Sequence, residues 1–155
     1  MICAKTYKGI VESCRADSYR QAAWKSYEEG LRIRRDLLAK EPDNVERLGD
    51  VAISLERMGD LVFQEGDKAG ARKAWEEEIA IAESLMRADQ TNVDWPRFIA
   101  IVRAQVARLG EADAGWQKLE AHSLLKSLAD TGRLSPQDKP LFDDLDKFIV
   151  GAKAP

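Results

Sequence analysis

Apolar residues recur along this chain every three or four positions, and no stretch alternates apolar and polar residues long enough to predict a strand. The pattern predicts seven helices. The first covers about residues 2–15, with Tyr7, Ile10, Val11 and Cys14 on one face. The second covers about 18–40, with Ala23, Tyr27, Leu31, Leu37 and Leu38 as its stripe, Asp17 or Ser18 as its cap and Pro42 as its stop. The third spans about 45–65, begins on Asp43 or Asn44, and carries Leu48, Val51, Leu55, Met58 and Val62. Gly66-Asp67 ends it and caps the fourth, which runs to about 88 with Ala71, Trp75, Ile79, Ala82, Leu85 and Met86 inward. Pro96 opens the fifth from a favoured first-turn position, and Leu109-Gly110 closes it. The sixth spans about 114–130 and stops at Gly132. The seventh opens on Ser135-Pro136-Gln137-Asp138, with Ser135 as cap and Pro136 in the first turn, and shows Leu141, Phe142, Leu145, Phe148 and Ile149 on one stripe. Connections this short imply antiparallel neighbours.

The same pattern repeats. Residues 23–61 shifted by 48 fall without a gap on residues 71–109. Identities include Ala23/Ala71, Lys25/Lys73, Glu28/Glu76, Glu29/Glu77, Ile33/Ile81, Leu37/Leu85 and Ala52/Ala100, while Tyr27 meets Trp75 and Leu31 meets Ile79. Helical patterning equates apolar with apolar, but it does not explain the Asn-Val pair after both turns, Asn44-Val45 and Asn92-Val93. A gapless register at such a period is the mark of stacked helical units. The shift carried backward puts Tyr7, Ile10 and Cys14 on Leu55, Met58 and Val62, so the first helix reads as the shortened start of an earlier unit. The units are about 1–44, 45–92 and 93–131 of a single domain covering 1–155, closed by a capping helix at about 135–150 whose one apolar stripe covers the end of the array. The expected fold is all-α: three antiparallel hairpins, one/two, three/four and five/six, plus the cap.

Met58-Gly59, the Gly66-Asp67 turn, Ala71 and Trp75 resemble the tetratricopeptide repeat, whose helix pairs set Leu-Gly in the first helix against a small residue and, four positions later, an aromatic in the second. The resemblance covers about residues 4–131 and is strongest over 45–92. The longer period adds about two turns to each helix, and seven extra residues nearly preserve an inward face. GDKAGARKAWEEEIAIAESLMRADQTN is similar to a long-helix bacterial variant, and LADTGRLSPQD to the ending of such arrays; Val11 and Gln90 depart from the Gly and Pro of the pattern. The resemblance implies a short solenoid, close helix approach at Gly59 and Ala71 with Trp75 beside them, and a concave groove lined by first helices. By repeat position the groove residues are Ile53, Glu56, Asp60, Phe63 and Gln64 of the third helix and Ile101, Ala104 and Arg108 of the fifth. This face offers one arginine against two acids, and Asp43, Glu46, Asp50 and Glu65 add negative field against Arg47 and Arg57. It suits a basic or amphipathic protein segment or peptide, with Phe63 as apolar anchor, rather than an acidic one. Self-association, as a homo-oligomer or on an upstream domain of a longer bacterial regulatory protein, is the alternative use of such a module.

Composition narrows the field. Charged residues are 33% and hydrophobic ones 45%, as in a globular chain, and the net charge is -3. Nucleic-acid binding relies on a basic face, so it is not expected. No apolar run approaches a membrane span, and Lys5 and Lys8 interrupt a signal-peptide core, so a cytoplasmic protein without a membrane partner is expected. Cys3 and Cys14, three turns apart on one helix, cannot bridge and read as reduced thiols. His122 is the one histidine, without an identifiable catalytic partner. The residues 66–70, GDKAG, lack phosphate-loop spacing, and no zinc spacing is present. No enzyme, metal or cofactor is therefore expected. Arg32, Arg34 and Arg35, like Glu76, Glu77 and Glu78, read as solvated helix edges.

Overall fold

The computed structural model describes the backbone of residues 2–152 and, within it, the side chains of Tyr19 and residues 21–151. These residues form six helices and no strand: α1 (Ile2–Lys40), α2 (Val45–Gln64), α3 (Lys68–Ala88), α4 (Asp94–Ala107), α5 (Ala114–Asp130) and α6 (Lys139–Ala152). The first and second predicted helices are one. Arg15-Ala16-Asp17-Ser18 contains neither Gly nor Pro, and Asp or Ser inside a helix costs only about 0.5 kcal/mol, too little to break one. The expected one/two hairpin is therefore absent. The face expected of Tyr7, Ile10, Val11 and Cys14 lies outside the described side chains, as does Cys3.

The other two hairpins form as expected, α2 with α3 and α4 with α5, while α1 packs on α2, α3 on α4 and α6 on α5. Asn44 caps α2 by accepting the Arg47 N–H (3.1 Å), and Asp67 caps α3 by accepting that of Gly70 (2.9 Å). Gly66 (φ 87°) and Gly132 (φ 69°) end their helices in the left-handed region. There the following N–H folds back five residues, Asp67 to Val62 (3.1 Å) and Arg133 to Leu128 (2.8 Å).

Two boundaries differ from expectation. Helix α4 ends at Ala107, and Arg108 and Leu109 already belong to the turn. Helix α6 starts at Lys139, so Pro140 rather than Pro136 occupies its first turn. Ser135 closes the turn before it, its Oγ accepting the Gln137 N–H (3.3 Å).

The core falls into three patches. Leu31 of α1 meets Val51, Leu55 and Met58 of α2. Val62, Ala71, Trp75, Ile79 and Ala82 meet Ile99, Val102 and Val106 of α4. Ala100, Ala121, Leu125 and Leu128 meet Leu145 of α6. Side chains also reach past the nearest neighbour. Arg35 of α1 pairs with Glu77 of α3 (2.5 Å), Gln105 of α4 donates to Asp60 of α2 (3.3 Å), and Arg72 of α3 pairs with Asp113 before α5 (2.6 Å).

The close approach at Gly59 differs in its partner from the one expected. The indole of Trp75 lies directly on it, and a Cβ built there would sit 2.5 Å from Trp75 Cδ1. Gly59→Ala is expected to lower stability by about 1–3 kcal/mol through overpacking, read by urea denaturation. With Trp75→Leu already in place, the added methyl should cost clearly less. An equal loss in both backgrounds would mean that the ring is not what the glycine accommodates.

Candidate functional site

Helices α2 and α4 both pack against α3, and along each of them residues spaced three or four apart point the same way. From α2 this face carries Asp60, Phe63 and Gln64, and Arg108 follows the end of α4. These four line one cleft of ≈ 270 Å³ together with Trp75 and Gln105. Phe63 is 38% exposed, and its ring lies 5.5 Å from that of Trp75, so the cleft has an aromatic wall as well as polar edges. Asp60 Oδ1 accepts from Gln105 Nε2, which fixes one edge of the cleft across the two helices.

The other groove candidates lie elsewhere. Ala104 is buried and, with Arg108, borders a separate recess of ≈ 210 Å³ against Lys118, Leu141 and Phe148. Arg108 thus stands between two recesses. Ile53 is exposed, Glu56 and Ile101 are half-buried, and none of the three lines the cleft. Gln105 was missed by sequence reasoning, although Ile101, Gln105 and Arg108 follow one stripe at spacings of four and three.

Below this face lies Glu78, which corrects the expected acidic edge. Glu76 is exposed and bonds Arg72 (2.8 Å), and Glu77 takes Arg35, but Glu78 is fully buried and neither carboxyl oxygen has a hydrogen-bond partner. Burial, with Glu56 and Asp60 nearby, pushes its pKa up to about 9, so it is a neutral acid at pH 7. The basic edge of α1 is equally compensated: Arg32 bonds Glu29 (2.7 Å) and Asp36 (3.0 Å), and Arg34 donates to Ser54 of α2 (2.9 Å).

His122 does have a partner. Its Nε2 lies 3.1 Å from Asp146, and its ring stacks on Phe142 with centroids 5.2 Å apart, which ties α5 to α6. Among the described residues no group of three or more His, Cys, Asp or Glu side chains is placed to hold a metal ion. No described helix is long and apolar enough to cross a membrane.

Comparison with protein-family models, with characterised proteins and with solved structures finds no match to this chain.

Proposed function

We propose that this chain is a non-enzymatic protein-interaction module, a short tetratricopeptide-like stack that takes a basic or amphipathic segment in the cleft between α2 and α4. The observation that carries the reading is the cleft itself. It brings a carboxylate, a part-exposed phenylalanine and an indole wall into one recess, from helices far apart in the chain. The side-chain bridges from α1 to α3 and from α2 to α4 favour a layered stack, with α2 and α4 on one side. A positively charged residue of the ligand meets Asp60, with Glu56 adding to the negative field, while an apolar neighbour lies on Phe63; exposed charges of this kind govern orientation and on-rate more than affinity.

A peptide array probed with the purified chain at low and moderate salt tests this. Basic amphipathic peptides are expected to be retained, less so at higher salt, and the double change Glu56→Lys with Asp60→Lys should remove the preference. Selection of acidic peptides, or retention unaffected by the double change, would place the binding surface elsewhere.

A further inference from the structure

We infer that the face of α1 formed by Ala23, Tyr27, Gly30, Ile33 and Leu37 is a seat for the leading helix of another hairpin of this repeat, a helix built like α2. The register of the repeat superposes these residues on Ala71, Trp75, Glu78, Ile81 and Leu85 of α3. In α3 that face holds α2: Trp75 lies on Gly59, Ala71 shares a cluster with Val62, and Ile81 packs against the Val51, Leu55 and Met58 cluster. A different side of α3, with Ile79 and Met86, meets α4. In α1, among the described residues, the second of these sides is occupied by Leu31 and Leu38 against α2, while on the first Ala23, Gly30 and Leu37 are half-buried and Tyr27 and Ile33 stand exposed.

The difference shows in exposure. Trp75 is 2% exposed, whereas its equivalent Tyr27 is 40% exposed, and Ile33 is 45% exposed. Tyr19, 70% exposed, extends the stripe by one turn. The seat also has the right shape. Ala23 and Gly30 are the small residues one turn to either side of Tyr27, and a Cβ at Gly30 would meet only the Arg34 side chain of its own helix, at 3.5 Å. The helix that fits has a small residue under the Tyr27 ring and apolar residues one turn to either side, as Gly59 lies between Leu55 and Val62 in α2. The surface lies on α1, away from the α2–α4 cleft, and it does not depend on what that cleft binds.

The probe is a helical peptide with the sequence of residues 45–64, cross-linked at the positions of Ile53 and Arg57, which are exposed and one turn apart in α2. It is titrated into the full chain by calorimetry, after light scattering has fixed the mass of the chain alone. One peptide per chain is expected. Tyr27→Arg, or Gly59→Leu within the peptide, should each weaken binding about tenfold or more. The melting temperature of the Tyr27→Arg chain should stay unchanged, because the ring is exposed without the occupant. Undetectable binding, or equal binding by the Tyr27→Arg chain, overturns the inference. So does a dimer that Tyr27→Arg converts to monomer, since the occupant would then be a second α1. Retained binding in the Asp60→Lys chain separates this seat from the cleft.

Discussion

Glu78→Gln is expected to make the protein more stable at pH 8, by an amount that grows with pH. The carboxyl is buried without a hydrogen-bond partner and titrates near 9 in the folded chain against an ordinary 4.5. Below about pH 4.5 both the folded and unfolded chains hold this proton, and the group adds no pH dependence. Between about 4.5 and 9 only the folded chain holds it, so each pH unit removes up to about 1.4 kcal/mol of stability. Above about 9 both states are ionised and the loss levels off. Glutamine keeps the shape and cannot ionise. The variant should therefore be on the order of 2–4 kcal/mol more stable at pH 8 and close to the parent near pH 4.5. The neighbouring acids belong to the same balance: Glu56 and Asp60 of α2 are the charged groups that oppose its ionisation. At low pH the slope reverses, because Arg72 and Gln117 hold the Asp113 carboxyl well below its ordinary range, and its contribution is lost progressively as pH falls from that ordinary range towards the depressed value. Melting curves of parent and variant at pH 5, 7 and 9 check this, and parallel curves would mean that Glu78 is not held neutral by the fold.

The stripes, caps and hairpin turns of α2 to α5 were legible because each signal is local: Asn44 and Asp67 before a helix, Gly66, Gly110 and Gly132 after one. The continuity of α1 was not, since a cap residue is tolerated inside a helix when no glycine or proline forces an end. In the site, Asp60, Phe63, Gln64 and Arg108 were readable from repeat position and do share the cleft. Repeat position points to Ala104, whereas Gln105 lines the cleft, one residue and about 100° away around the helix. Glu78 was hidden in plain composition. Three consecutive glutamates suggest solvent, yet only the third falls on the inward stripe of Ala71, Trp75, Ala82 and Leu85. The periodicity contained that signal, and the charge run obscured it. The partnering of His122 was beyond reach, because Asp146 lies on another helix whose angle no local pattern specifies.

Arg97→Met is expected to loosen the C-terminal helix. Asp138, at the turn into α6, is 5% exposed, and its Oδ2 lies 2.5 Å from Nε of Arg97 on α4. This pair joins α4 to the start of α6, which also docks through Leu145, with Leu141 and Phe142 around it, and through the contact of His122 with Asp146. The pair also explains why the chain turns at Asp138 before the helix starts: the carbonyl of that residue accepts the Phe142 N–H (3.0 Å) while its carboxylate is drawn inward to the guanidinium. The net worth of such a part-buried pair is small, because desolvation offsets attraction, but removing Arg97 leaves the buried Asp138 carboxylate without its partner and costs on the order of 1–3 kcal/mol. Asp138 then stays without a partner or leaves its site and releases the first turn of α6. Hydrogen exchange followed by mass spectrometry should show faster exchange over residues 139–152 in Arg97→Met while α2 and α3 exchange as before. The double change Arg97→Met with Asp138→Leu removes both charges and should recover most of the lost stability. Slow exchange in α6 of the single variant, or a double variant as weak as the single one, would show that the apolar stripe and the contact of His122 with Asp146 hold the helix in place without the pair.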